Sequence, residues 1–266
     1  MLFRSLPRVR LRAAVDAPLA HFIARLEDVH PDGRVSLVAA ALLNGAQRKD
    51  PLRPEPLVPG RQAELAFELH FTTWTFRPGH RIRFALSNAQ FPMIWPTPHN
   101  MTMTLMLGEG TAVSLPVIPA AKRDTPAWTA PEPRLQRPDA RYGECESWPN
   151  GTQEWTHDQL RGEVRYDWRT ACAWDLEAEG RTPARRFRST ERNVYMVDER
   201  NPARASFRGD ETHAIELPGR SLELRTTLEV RSDAATFYVV FTRRILENDR
   251  LVRERQWAED IPRDLQ

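Results

Sequence analysis

Prolines decide what this chain can fold into. They stand at Pro51, Pro54, Pro56 and Pro59 and again at Pro78, Pro92, Pro96 and Pro98. Each removes a backbone donor and obstructs the helical turn before it, so the first half of the sequence has few windows a helix could occupy. No long helix is expected anywhere. The intervals are filled by period-two alternation, the mark of a half-buried strand. In "RVRLRAAVDA" Val9, Leu11, Ala13 and Val15 fall on one side and arginines on the other; "AELAFELHF" places Leu65, Phe67, Leu69 and Phe71 together; "MTMTLML" does so with Met101, Met103, Leu105 and Leu107.

From Pro116 to Pro138 the alternation stops and "PVIPAAKRDTPAWTAPEPRLQRP" has the composition of a stiff linker or surface strap. Beyond it "LRGEVRYDW", "SLELRTTLEVRS", "ATFYVVFTRRILEN" and "RLVRERQW" again alternate, and "ENDR", residues 247–250, offers Asn-Asp hairpin chemistry. No fixed-period repeat suggests a propeller or solenoid. The expectation is an all-β chain: a first domain over 1–118, a proline-rich linker over 119–141 and a second β-rich domain over 142–266.

A hydrophobic share of 41% against 28% charged is that of a soluble globular protein, and 266 residues can bury two ordinary cores. The net charge is +2, with arginines interleaved among Asp and Glu. No single-sign field is available to recruit nucleic acid or a membrane surface. The densest basic stretch, "RRFRSTER" over 185–192, is read as a solvated strand face. No apolar run approaches the ~18 residues of a membrane span, and Arg10, Arg12 and Asp16 interrupt any secretion-signal core. A soluble, cytoplasmic protein is expected. Cys145 and Cys172 lack zinc-site spacing and are read as isolated thiols, with one bridge left open.

The stretch "VHPDGRV", residues 29–35, sets His30 two positions before Asp32. Pro31, Asp32 and Gly33 suit a tight corner between "FIARLEDV" and "RVSLVAAALL", so a hairpin explains every residue. A triad would need a nucleophile within reach of His30. No G-x-S-x-G elbow occurs, and Ser36 sits inside a strand pattern, so His30 is read as a turn residue. His80, opening the strand "HRIRFALS" with Ile82, Phe84 and Leu86 inward, is read as an edge histidine, because no second ligand stands at a usable spacing. His157 and Asp158 lead into a strand and are read as structural. No catalytic, cofactor or metal residue is assigned.

Three stretches in order, "DAPLAHFIARLEDVHPDGRVSLVAAALLN", "PLVPGRQAELAFEL" and "FRPGHRIRFALSNAQFPMIWPTP", followed by "SLPV", resemble the C-terminal jelly-roll domain of the cocaine esterase, X-prolyl dipeptidyl aminopeptidase and α-amino-acid ester hydrolase family of serine hydrolases. The resemblance covers roughly residues 7–118, and more loosely the tail from about residue 142. It implies a galactose-binding-like β-sandwich followed by a second β-rich domain. In that family the nucleophilic serine, aspartate and histidine belong to an α/β-hydrolase domain, and none can be carried onto this sequence, which opens near the second strand of the expected jelly roll. The chain alone is therefore expected to be inactive. An α/β-hydrolase catalytic domain, upstream or on a separate chain, is the implied partner, with a homo-oligomer as a further possible contact. The loop "NAQFPMIWPTPHN" would lie at one rim of the sandwich, where Phe91, Met93, Ile94 and Trp95 form a patch for the substrate cleft or a domain contact; Trp95 packing beneath its own loop is the plainer alternative. The competing function is a freestanding carbohydrate- or ligand-binding sandwich using Trp74, Trp148, Trp155 and Trp168.

Overall fold

The computed structural model describes residues 2–117, 145–146 and 151–266. The expected linker over 119–141 and Trp148 lie outside the described residues. Backbone contacts divide the chain into one unit of residues 1–125 with 264–266 and another of residues 126–263.

Among the described residues the first unit carries nine strands: β1 (Leu2–Ser5), β2 (Arg8–Val15), β3 (His21–Val29), β4 (Val35–Asn44), β5 (Ala63–Glu68), β6 (Thr72–Thr75), β7 (Arg81–Ser87), β8 (Met103–Met106) and β9 (Ala112–Ser114). All pairings are antiparallel. β2 runs between β5 on one side and β8 with β9 on the other, β3 runs between β4 and β7, and β1 pairs with β6. The alternation of β2 works as expected: Val9, Leu11, Ala13 and Val15 are buried while Arg8 and Arg10 are exposed. They enter one core with Phe22, Ala24 and Leu26 of β3, Val38 and Ala39 of β4, and Leu65 of β5. Two sheets therefore close face to face as a sandwich. Burying a side chain such as Leu11 or Leu26 stabilises it by about 1.5–3 kcal/mol.

Strand β3 departs from alternation, since eight of its nine residues are buried. Flanking strands cover its edges and both of its faces are covered as well. Ile82 departs in the other direction. It was expected inward with Phe84 and Leu86, which do pack on the core, yet it is 47% exposed. Its place opposite Asp28, at the end of the β3–β7 ladder, takes it past the core.

The second unit is a meander: β10 (Cys145–Glu146), β11 (Thr152–Asp158), β12 (Glu163–Leu176), β13 (Arg185–Asp198), β14 (Ala205–Leu217), β15 (Arg220–Ser232), β16 (Thr236–Glu247) and β17 (Arg250–Pro262). From β12 onward each strand pairs antiparallel with the next, and β10 and β11 both pair with β12. Asn248 and Asp249, with φ of 49° and 61°, make the tight turn anticipated from "ENDR". Cys172 is disulfide-bonded, which corrects the isolated-thiol reading. The backbone of Cys145 stands opposite it in the β10–β12 register, a juxtaposition that sequence spacing does not reveal.

Register gives this sheet two unlike faces. Tyr166, Tyr195, Phe207, Val230 and Val239 line up across five strands on one face. On the other face Asp167 is the buried centre of a charge cluster. It accepts hydrogen bonds from Arg165 Nη2 at 2.9 Å, Arg169 Nε at 3.1 Å and Arg192 Nη2 at 2.7 Å. The guanidiniums of Arg192 and Arg169 hold the Asp167 carboxyl far below the usual carboxylate range, against the opposing effect of burial.

A carboxyl whose folded pKa lies below its unfolded value of about 3.9 contributes its full stability above that value and loses it as pH falls further. The arginines are roughly half exposed, so water screens part of the gain. Asp167→Asn is expected to destabilise the protein by about 2 kcal/mol at neutral pH. The difference from wild type should shrink below about pH 4. Urea melts at neutral and acid pH check it, and a difference that does not depend on pH would contradict it.

Candidate functional site

At one end of the first unit, strand β3 closes on Asp28 and Val29, and the chain turns through His30, Pro31, Asp32 and Gly33 into β4. The turn closes through the Gly33 amide on the His30 carbonyl at 3.0 Å and the His30 amide on the Arg34 carbonyl at 2.9 Å. Gly33 takes φ of 88°, the left-handed value that a side chain would oppose. The hairpin read from the sequence is present, and it does more than turn the chain.

Asp28 is 1% exposed and carries a charge that burial alone would make costly. Two donors meet it: Trp74 Nε1 from β6 donates to Oδ2 at 3.0 Å, and His80 Nδ1 stands 2.9 Å from Oδ1. Burial pushes the Asp28 carboxyl up, but these bonds and the neighbouring imidazoles outweigh it and hold the group below its ordinary value. The rings of His30 and His80 lie with centroids 4.5 Å apart. One potential ligand atom from each of Asp28, His30 and His80 falls within 4.8 Å of the others. The ligand that sequence spacing failed to supply for His80 arrives through the β3–β7 pairing. Residues 28 and 80 become neighbours because Val29 pairs with Arg81. The cluster opens on a cavity of about 700 Å³ lined also by Thr73, Trp74, Arg34 and Arg77.

Ser36 lies in β4 as expected, yet His30 Nε2 is 2.9 Å from its Oγ. Hydrogen-bond reach between a hydroxyl and an imidazole therefore exists. The third member of a triad is missing: among the described residues the buried carboxylate serves His80, and no carboxylate orients His30. Histidine 157 does not engage Asp158. Its Nε2 meets Glu199 at 2.9 Å, while Asp158 accepts from the Leu160 and Arg161 amides in the following turn.

The loop assigned to a cleft or contact role is divided. The rings of Phe91 and Trp95 meet edge to face at 6.1 Å and both residues are partly covered, as is Ile94. Met93 stands 80% exposed. Of the tryptophans considered for sugar stacking, Trp74 is committed to Asp28, Trp168 is partly covered, and Trp155 is 57% exposed.

A family model described as the X-Pro dipeptidyl-peptidase C-terminal non-catalytic domain matches residues 4–123. A Mycobacterium bovis protein named as a serine esterase is 38% identical over 85 residues, a match covering 26% of this chain and 14% of that protein. The cocaine esterase of Rhodococcus sp. is 32% identical over 83 residues, covering 31% of this chain and 14% of the relative. The shared region thus spans about one seventh of the length of these relatives. Among solved structures, an aminopeptidase from a marine-sediment Thaumarchaeota archaeon overlaps 44% of this chain and 24% of its own at 25% identity, with a TM-score of 0.41. An α-amino acid ester hydrolase overlaps the same shares at 23% identity and a TM-score of 0.42. No helix among the described residues is long and apolar enough to cross a membrane.

The Ser36–His30 pair makes the question of catalysis within this chain a direct experiment. With no carboxylate behind the imidazole, the purified chain is expected to hydrolyse p-nitrophenyl acetate no faster than buffer, and Ser36→Ala is expected to change nothing. An acylation burst that Ser36→Ala abolishes would make Ser36 a nucleophile.

Proposed function

Residues 4–123 are a non-catalytic C-terminal domain of the X-Pro dipeptidyl-peptidase type, and from that premise we propose that this chain is the accessory β part of a serine hydrolase, acting with an α/β-hydrolase catalytic domain. The family match over residues 4–123 is the observation that carries the reading. Ester, amide or X-prolyl bonds are cleaved by the catalytic partner, and this part supports its substrate cleft and its domain contacts. Met93 is the contact candidate, exposed beside the mutually packed Phe91 and Trp95. The disulfide at Cys172 favours an oxidising compartment over the cytoplasmic location expected from the sequence.

A contact between copies of the chain is supported by β17. Among the described residues it pairs only with β16, and all 13 of its residues are exposed. An unpaired edge of that length is a template for another strand. Laid antiparallel on its own copy about Gln256, β17 opposes Arg253 to Glu259 and Leu251 to Ile261, each pair occurring twice. Opposite charges and apolar pairs facing each other across strands are favourable by about 0.2–1 kcal/mol each.

One feature favours a second reading, a carbohydrate-binding module. Trp155, Tyr166, Tyr195 and Phe207 form a continuous row across four strands, with successive ring centroids 4.5, 6.0 and 4.7 Å apart. Such a row could stack on sugar faces.

Coexpression with the α/β-hydrolase encoded upstream or alongside is expected to give a stable complex, weakened roughly tenfold by Met93→Asp, a cost of about 1.4 kcal/mol. Failure to associate, together with glycan binding lost in Trp155→Ala, would replace this reading with the second. Light scattering tests the edge separately: wild type should be dimeric, Arg253→Glu monomeric, and the charge-reversed pair Arg253→Glu with Glu259→Arg dimeric again. A monomeric wild type would remove the subunit contact and leave the catalytic partnership standing.

A further inference from the structure

We propose that Asp28, His30 and His80 form a binding site for a divalent transition metal, with Zn²⁺ the ion that best matches the donors. Two imidazole nitrogens and a carboxylate oxygen are a ligand set suited to zinc, which commonly takes three protein ligands and a water. The three side chains come from the end of β3, the turn after it and the residue before β7. Pairing of Val29 with Val35 and with Arg81 sets His30 and His80 beside Asp28.

The Asp28–His80 spacing is already close to what an ion needs, and the His30 ligand atom lies within 4.8 Å of both. Two ligands at ~2.0–2.1 Å from a tetrahedral zinc stand about 3.3 Å apart. His80 Nδ1 and Asp28 Oδ1 are now 2.9 Å apart, joined by a hydrogen bond. Replacing that shared proton with the ion requires an opening of a few tenths of an ångström, and the His80 ring then carries its proton on Nε2. Outer partners are already in place. Trp74 Nε1 holds Oδ2 of Asp28 and leaves Oδ1 toward His80, while Ser36 Oγ fixes the His30 ring. Groups of this kind orient metal ligands and commonly set affinity by about 10–100-fold.

Access and charge are also compatible. The adjoining cavity of about 700 Å³ admits solvent and leaves room for a water on the ion. Of its two arginines, Arg34 is bonded to Asp32 at 2.9 Å, leaving Arg77 as the cavity's opposing charge. Asp28 supplies the anion. A structural ion pair of Asp28 with a protonated His80 is the competing account, and it predicts no metal affinity.

The test uses the untagged full chain after chelator treatment. Titration calorimetry with Zn²⁺ at neutral pH is expected to show one saturable site. Co²⁺ in its place should give visible d–d absorption bands of a nitrogen- and oxygen-ligated ion. His30→Ala leaves the Asp28–His80–Trp74 network intact, so the fold should persist, and affinity should fall tenfold or more. His80→Gln should do the same, and Zn²⁺ should raise the melting temperature of wild type but of neither variant. Binding should weaken at acid pH, because protons compete with the metal for its ligands. No saturable binding by folded wild type, or equal affinity in wild type and folded His30→Ala, would overturn the proposal. The measurement needs no catalytic partner, so its failure is distinct from failure of the accessory-domain reading.

Discussion

A carboxylate buried at the end of a strand covered on both faces governs the first unit. Water cannot solvate Asp28, so the protein must, and the donors have to come from elsewhere in the chain. Trp74 and His80 provide them, which pins β6 and the start of β7 to the end of β3. Breaking such an arrangement by removing one partner costs about 3–5 kcal/mol, whereas a well-packed apolar replacement of the whole set is often neutral. Stability alone therefore does not account for a polar corner here. What the polar set adds is a group of fixed donor atoms facing an open cavity of about 700 Å³.

The second unit meets the same physical requirements by another route. Its buried apolar residues among those described are Ala203, Ala205, Ala214 and Leu246, too small a set to act as a core between layers. Cohesion must come sideways, from long ladders and from pairs facing each other across strands. On one face that means the row from Tyr166 to Val239; on the other it means carboxylates shared among arginines, as at Asp167, and at Asp210, which Arg208 grips with both Nε and Nη2. A sheet stabilised laterally has its weakest points at its edges, where the sideways interactions stop. The proposed contact between copies therefore falls on β17, exposed along its whole length, and not on β2 or β3, which have paired strands on both sides.

Local signals were legible in the sequence and register was not. Alternation located β2, β12 and β15 to β17, Pro31 and Gly33 marked the turn from β3 to β4, and Asn248 and Asp249 marked the turn from β16 to β17, because each depends on neighbours a few positions away. "RRFRSTER" belongs to β13, where Arg186 and Arg188 are exposed as a solvated face requires. Strand β14 left little trace, since Gly209, Glu211 and His213 break the apolar pattern that Phe207 and Ile215 begin. The continuous burial of β3 follows from what lies above and below it. The candidate site suffered most from this limit. His30 and Ser36 are six residues apart across a hairpin, and Asp28 and His80, 52 positions apart, meet only through the pairing of β3 with β7. The reading of His80 as an edge histidine rested on sequence spacing, and sheet pairing made that spacing irrelevant.

The same cluster can be asked whether it suits proton transfer or cation binding, and electrostatics separates the two. A general base at His30 would become an imidazolium when it took the Ser36 proton, and its only carboxylate neighbour in the cluster is already bonded to His80. The two rings sit 4.5 Å apart, so a positive charge carried on each would be an unfavourable like-charge contact. One positive centre shared by both rings and the carboxylate meets no such penalty, because the charge lies between the ligands instead of on each of them. The geometry that weakens Ser36 as a nucleophile is the geometry that suits a single bound cation.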